Sequence, residues 1–277
     1  MRGSGRRGAA KWLSVYAVTY MVFLYAPVIL LPLFAFNDAT VVAFPLSHFT
    51  TKWFVVLWQT EALHGAVRNS LKVALSTAVF STVLGASAAR AAARYRFPGK
   101  APVMGFIMLP LVLPEIIVAV ALLVPIMQMG LSLSLWTVIA GHVLICTPFS
   151  IAILSSAFQG FDTSLEEASL DLGETRLGTF RRVILPLVMP GIVSSLLICF
   201  TISLDEFIIA FFLTGTDVTL PVYIWSQLRF PTKLPSIMAL GTILLALSVV
   251  LLVLAEWFRR RAARRQGIEA SVTGGLV

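Results

Sequence analysis

Long apolar runs separated by short polar segments dominate this chain. Six of these runs reach the roughly 20 residues that a helix needs to cross a bilayer. They are Trp12–Phe36, Val67–Ala93, Val103–Met129, Leu133–Phe158, Leu187–Thr214 and Pro235–Phe258. The third run contains Pro110, Pro114 and Pro125, so it is predicted to be kinked or broken. The pattern therefore predicts an all-α integral membrane protein with six transmembrane helices.

The composition agrees with this pattern. Of the 277 residues 58% are hydrophobic and only 12% are charged, and the mean hydropathy is +0.91. A soluble domain carries about 25% charged residues and has enough polar surface to cover its core. These values exclude a soluble enzyme, a disordered chain and a disulfide scaffold. Residues 1–277 are therefore expected to form a single transmembrane domain.

The basic residues lie at the ends of the apolar runs and predict the orientation of the chain. With the amino terminus inside, 16 of the 21 Lys and Arg residues fall on the inner side. The outer loops hold Lys52, Arg229 and Lys233, and Arg68 and Lys72 lie at the outer end of the second span. Both termini are thus predicted to be cytoplasmic. The net charge of +8 is explained by topology and gives no reason to expect nucleic acid. The Arg259–Arg265 cluster is suited to contact anionic lipid headgroups.

Three acidic residues, Glu115, Asp205 and Glu206, fall inside predicted spans. A carboxylate at a helix centre costs about 2.5–3.5 kcal/mol on insertion scales, so it normally faces a cavity or a cation. A cationic substrate would be a suitable partner, to which Ser203 would add a hydroxyl and Trp53 a cation–π face. Alternatively, the acids lie near span ends or bond helix termini and hydroxyls, and Trp53 is an interface anchor.

Several short motifs match known binding or catalytic patterns only in part and indicate no such function. The Gly3-x-Gly5-x-x-Gly8 spelling has no strand before it, and no Walker A sequence occurs, so this chain is not expected to hydrolyse ATP. Cys146 and Cys199 are interpreted as small hydrophobic residues, and the three histidines are too far apart in sequence to indicate a metal site. We expect no catalytic residue, metal or cofactor in this chain.

The inner loop, residues 159–186, is the most informative polar segment. Helical spacing predicts two short helices, Leu165–Leu172 and Leu177–Val183, with Gly173 at the C-terminal end of the first. The residues alone are also compatible with an amphipathic linker that lies on the membrane surface.

The spacing within this loop resembles a known motif. Glu167-Ala168-Ser169 is followed after three residues by Gly173 and after nine more by Val183-Ile184-Leu185-Pro186. This resembles the EAA motif of ABC importer permeases, in which Ala stands at the position of Ser169 and Ile at that of Val183. The resemblance implies a type I ABC importer permease fold with residues 66–258 as its core, and a coupling loop at 159–186 that docks on a cytoplasmic ATPase. The implied coupling residues are Glu167, Ala168, Ser169, Asp171, Gly173, Val183, Leu185 and Pro186.

Three further segments resemble the spermidine/putrescine importer permeases in particular. They are FTTKWF at 49–54, YRFPGK at 95–100 and SLDE at 203–206. The resemblance implies polyamine transport across the bacterial inner membrane along a pathway lined by Glu115, Asp205, Glu206, Ser203 and Trp53. It also implies three partners: a second permease subunit, an ATPase dimer that binds ATP and Mg, and a periplasmic substrate-binding protein.

The residues are also compatible with the same permease role for another cargo: an amino-acid-like solute, a phosphonate or ferric ion. Two functions of other classes are a secondary transporter and a membrane scaffold. A secondary transporter would show inverted internal repeats, which are not evident here, and would leave the EAA spacing unexplained. A membrane scaffold would not require acidic residues within its spans.

Overall fold

A computed structural model describes residues 4–95, 97–160 and 163–265 of the chain. Within these ranges the chain forms twelve α-helices. They are α1 (Ser4–Ala35), α2 (Lys52–Trp58), α3 (Glu61–Arg94), α4 (Lys100–Met108), α5 (Glu115–Gln128), α6 (Leu135–Gln159), α7 (Thr163–Asp171), α8 (Arg176–Thr179), α9 (Leu185–Asp205), α10 (Ile208–Leu213), α11 (Leu220–Leu228) and α12 (Leu234–Arg265). The prediction of an all-α membrane protein is confirmed.

Five helical segments of the described chain are long and apolar enough to cross a membrane. They are Trp12–Ala35, Glu61–Arg94, Leu135–Gln159, Arg176–Asp205 and Pro231–Val250. The segments Lys100–Leu111 and Glu115–Gln128 meet at an angle of 104° and supply a sixth span if the bent pair is counted as one. This confirms the break predicted in the third apolar run, since Pro114 cannot continue the preceding helix.

The fifth span differs from the prediction at both ends. A π-helical turn, Phe180–Ile184, joins α8 to α9, so the expected short helix Leu177–Val183 is instead the beginning of the span. At the other end α9 stops at Asp205 and α10 begins only at Ile208, which interrupts the predicted run to Thr214. The residues on both sides of the break are apolar, so hydropathy alone predicted one continuous helix.

The described residues fall into two compact units. The smaller one comprises the chain up to Thr60 and from Gln227 onward, and in it α12 packs against α1 and α2. An isolated antiparallel β-bridge between Asn37 and Phe49 joins the two ends of the loop before α2. This unit contains Trp53.

The larger unit, residues 61–226, is organised around α3, α6 and α9, which pack against one another. Small polar side chains lie in this contact: the Ser195 hydroxyl is 2.7 Å from that of Ser150 and 3.0 Å from that of Thr82. Small residues allow helix backbones to approach closely in a membrane, and hydroxyl pairs stabilise the approach. Helix α10 packs against α5 and α6 in the same unit.

Candidate substrate pathway and coupling loop

Glu115 opens α5, directly after the break in the third span. Its predecessor Pro114 is extended, with φ −56° and ψ 130°, and begins the new helix. Glu115 is exposed, and its carboxylate makes no hydrogen bond or ion pair among the described residues. A carboxylate in the first turn of a helix is stabilised by the helix dipole. The break thus leaves a free carboxylate in an apolar region.

Asp205 and Glu206 are neighbours in sequence but have opposite environments. Asp205 is the last residue of α9, is exposed, and has no bonded partner in the described chain. Glu206 is 7% exposed, and its two oxygens accept the backbone N–H groups of Ile209 (2.9 Å) and Ala210 (3.0 Å). Glu206 therefore caps α10, as the alternative interpretation of the acids anticipated for such residues.

Ser203 does not face an open space. It is 3% exposed, and its hydroxyl lies 2.7 Å from Nδ1 of His142, a residue to which the sequence reasoning gave no role. His142 Nε2 lies 3.0 Å from a Glu206 oxygen. The sequence could have indicated His142, because an ionisable residue within an apolar span is by default a candidate functional residue.

Trp53 is 8% exposed and is held in the smaller unit. Its indole N–H donates to the carbonyl of Asn37 at 2.8 Å, and the Lys52 ammonium lies 4.6 Å from the ring centroid. Lys52 in turn pairs with Asp38. The face of Trp53 therefore contacts a cation of the same chain, Lys52, and not the substrate ammonium for which the sequence suggested it.

The inner loop, residues 159–186, has the predicted turn. Helix α7 ends at Asp171, and Gly173 follows with φ +87°, a left-handed conformation that favours glycine. Glu167, Ala168 and Asp171 are exposed, and the Ser169 hydroxyl lies 3.0 Å from that of Thr179, which ties α7 to α8.

Apolar surface surrounds this turn. Leu172, between α7 and α8, is 89% exposed, and Leu177, in the first turn of the fifth span, is 78% exposed. A groove of about 440 Å³ beside them is lined by Leu165, Ala168, Ser169, Leu172, Gly173, Glu174 and Val183. Four of these residues belong to the EAA-like motif. Leu185 and Pro186, the last motif residues, begin α9, where Leu185 is half-buried and Pro186 is exposed. Part of the motif thus lines an exposed, concave and partly apolar surface, whereas its last residues belong to the span.

No cluster of three or more His, Cys, Asp or Glu side chains suited to a metal ion occurs in the part of the chain that the structure describes.

Comparison with known proteins adds independent findings. Residues 81–264 match the family described as "Binding-protein-dependent transport system inner membrane component". The spermidine/putrescine transport system permease protein PotC of Shigella flexneri is 35% identical over 246 residues, which cover 88% of this chain and 92% of that protein. The putrescine transport system permease protein PotI of Escherichia coli (strain K12) is 33% identical over 265 residues, 93% of each chain.

The fold has a counterpart among solved structures. A chain of a bacterial ABC transporter involved in the import of the acidic polysaccharide alginate superposes with a TM-score of 0.74 and covers 93% of this chain and 99% of its own. At 16% identity this likeness supports the fold alone. The chain belongs to the family of binding-protein-dependent transport system inner membrane components: it is the permease subunit of an ABC importer, a multi-pass inner membrane protein and not itself an enzyme.

Proposed function

We propose that this permease carries polyamines, spermidine or putrescine, into the cell. In this proposal it pairs with a second permease subunit, receives cargo from a periplasmic substrate-binding protein and is driven by an ATPase dimer at its cytoplasmic face. The names of its relatives support the cargo, since PotC and PotI are spermidine/putrescine and putrescine permeases. Both termini lie in the cytoplasm in this arrangement, in the bacterial inner membrane.

The observation that carries the cargo assignment is the pair of free carboxylates at helix breaks. Glu115 begins α5 and Asp205 ends α9, and both are exposed and unbonded among the described residues. An unpaired carboxylate in contact with lipid would cost several kcal/mol, so each must face water or a cation. A polyamine carries ammonium groups spaced along a flexible chain, and two separated carboxylates can hold it through contacts weak enough to release it.

The other predicted pathway residues act less directly in this proposal. Glu206 and Ser203 make hydrogen bonds within the chain, to the backbone of α10 and to His142. In this proposal they hold the helix break next to Asp205 and do not bind cargo themselves. At Trp53, Lys52 occupies the position that a cargo ammonium would take, and cargo would have to displace it from the ring face.

The coupling role rests on the exposed surface around Gly173. Leu172 lines the groove that four motif residues share, and Leu177, in the first turn of the fifth span, adds a second exposed apolar side chain. We propose that the ATPase covers this surface, and that ATP and Mg bind to the ATPase because this chain has no Walker A sequence.

Neutralising the two free acids tests the cargo. Asp205→Asn and Glu115→Gln keep the shape and remove the charge, and the complete importer would be reconstituted in proteoliposomes with its binding protein. We expect each variant to lower spermidine or putrescine uptake at least roughly tenfold, since losing a charge-assisted contact costs about 1.5–3 kcal/mol. Asp217→Asn is the matched control, because Asp217 is exposed but lies in a loop after α10.

Basal ATP hydrolysis and subunit assembly should be unchanged in all three variants. Unmodified polyamine uptake by both Asp205→Asn and Glu115→Gln would contradict the proposal. Uptake of a neutral or anionic solute of similar size at the polyamine rate would contradict it as well.

A further inference from the structure

A buried polar cluster in the larger unit links α6 to the break between α9 and α10. His142, on α6, is fully buried. Its Nδ1 lies 2.7 Å from the Ser203 hydroxyl and its Nε2 lies 3.0 Å from Oε2 of Glu206. The contact between Nε2 and Oε2 has the length of an ion pair but not the geometry of a hydrogen bond, so it acts on Glu206 through charge. An N–H at Nε2 this close to the carboxylate stabilises its negative charge, whether Nδ1 accepts from Ser203 or is protonated too.

The same carboxylate determines where α10 begins. Glu206 has an extended backbone, with φ −69° and ψ 124°, and accepts the N–H groups of Ile209 and Ala210, which would otherwise be unsatisfied at the start of the helix. In a membrane each unsatisfied backbone group costs several kcal/mol. The break in the fifth span is therefore stable only while Glu206 stays in this position.

Helix α6 also holds the rest of α10. The Thr137 hydroxyl lies 2.8 Å from the carbonyl of Leu213, the last residue of α10, and 2.7 Å from that of Ser134, so its one proton is shared between the two carbonyls. Gly141 lies directly under the helix, because a Cβ there would stand 2.5 Å from Ile209 Cγ2 and 2.7 Å from Leu213 Cδ1. Helix α10 is thus fixed to α6 at its start, along its length and at its end.

Asp205 is the residue that this arrangement leaves free. Its neighbour Glu206 is occupied by two backbone N–H groups and the imidazole, while Asp205 stays exposed at the end of α9. We propose that His142 is a positioning residue for transport: by holding Glu206 over α10 it fixes the break and thereby the direction in which Asp205 presents its carboxylate. The importance of Asp205 for cargo rests on the proposed function.

Substitutions at His142 test this role. His142→Leu keeps a similar volume without polar atoms, whereas His142→Gln retains both a donor and an acceptor. Cys146→Ala is the matched control, since Cys146 is also fully buried on α6, one turn further along. In the complete reconstituted importer we expect His142→Leu to raise the half-saturating spermidine concentration roughly tenfold, with basal ATP hydrolysis within twofold, as expected for losing about 1.4 kcal/mol. His142→Gln should recover most of this loss.

A second measurement reports the geometry without depending on the cargo. Asp205→Cys would be introduced into a chain with Cys146→Ala and Cys199→Ala, and the reaction rate of the new thiol with a charged methanethiosulfonate reagent would be measured. We expect His142→Leu and Glu206→Gln to change this rate at least about threefold and His142→Gln to leave it nearly unchanged. If His142→Leu fails to assemble, Glu206→Gln and Ser203→Ala provide the same comparison.

The outcomes separate the two proposals. An unchanged labelling rate in His142→Leu, or in both Glu206→Gln and Ser203→Ala, would overturn the positioning role. An equal rise of the half-saturating spermidine concentration in His142→Leu and in Cys146→Ala would overturn it as well. Altered labelling with an unaltered response to spermidine would leave His142 in its role and instead refute the cargo assignment.

Discussion

The Glu166 carboxylate on α7 lies 3.6 Å from the Arg90 guanidinium on α3. Arg94, one turn along α3, lies 3.7 Å from the same carboxylate. Arg90 also covers the ring of Phe180, at 4.6 Å from its centroid, in the π-helical turn that begins the fifth span. Helix α3 therefore contacts the loop 159–186 at two places, Glu166 and Phe180, through one arginine. If this loop docks on the ATPase as proposed, a displacement of α7 would move α3 and the start of the fifth span together.

Reversing the charge of Glu166 should weaken coupling. In Glu166→Arg, three like charges would meet, and we expect uptake driven by ATP to fall roughly fivefold, because a partly exposed ion pair is worth up to about 1 kcal/mol. Adding Arg90→Glu restores one pair and should recover part of the loss. Uptake and ATP hydrolysis would be measured together in proteoliposomes.

Arg68→Gln is the control for this experiment. Arg68 is an exposed basic residue on the same helix α3, and no bonded partner for it is found in the described ranges. Equal losses in Glu166→Arg and in the double variant, with no recovery, would show that the ion pair does not transmit motion.

Gly173 should be sensitive to a single methyl group. Its φ of +87° is unfavourable for any L side chain, although a Cβ there would meet no atom within 4 Å, so the penalty arises from the backbone. A left-handed residue costs about 1–2 kcal/mol. Gly173→Ala is expected to lower cargo-stimulated ATP hydrolysis while membrane insertion is retained, and Gly173→Asp should abolish it. Gly105→Ala, also in open space but without a positive φ, serves as the control. Full stimulation in Gly173→Asp would contradict a docking role for this turn.

Gly85 is expected to determine the stability of the larger unit. A Cβ on Gly85 would lie 2.0 Å from the Ser150 hydroxyl oxygen and 3.0 Å from the Ser150 carbonyl carbon, so α3 and α6 would have to separate. Overpacking of this kind costs about 1–3 kcal/mol. Gly85→Ala should lower the thermal unfolding midpoint of the purified complex by several degrees. Gly65→Ala, on the same helix with no atom within 4 Å, should not, and equal midpoints for the two would refute the argument.

Hydropathy and proline content were sufficient for most of the helical framework. The broken third span was predicted from its three prolines, of which Pro114 lies at the break, and the turn at Gly173 followed from the local pattern around it. Both are local effects, since proline and glycine act on their own backbone angles.

The break in the fifth span could not be predicted in this way. It depends on Glu206, whose charge is stabilised by His142, a residue 64 positions earlier on another helix. Because residues i and i+1 lie about 100° apart on a helix, the sequence predicts that only one of Asp205 and Glu206 faces a pathway, but it does not tell which. Only the packing of α10 against α6 separates them into one exposed carboxylate and one occupied by the fold.

The orientation of the chain yields the last prediction. Sixteen of the 21 basic residues fall on the side of the amino terminus, three in the opposite loops and two at the outer end of the second span, a bias that retains the basic side in the cytoplasm. In a chain with Cys146→Ala and Cys199→Ala, single cysteines would replace Gly3 and Gly274, which lie outside the described residues, and Thr216, which is exposed in the loop after α10. A membrane-impermeant thiol reagent added to intact cells should modify only the cysteine at position 216, and those at the two termini should react only after permeabilisation. Modification of either terminus in intact cells would exclude an even number of spans with both ends inside. The loop 159–186 would then not be assigned to the cytoplasmic side, where it must lie to contact the ATPase.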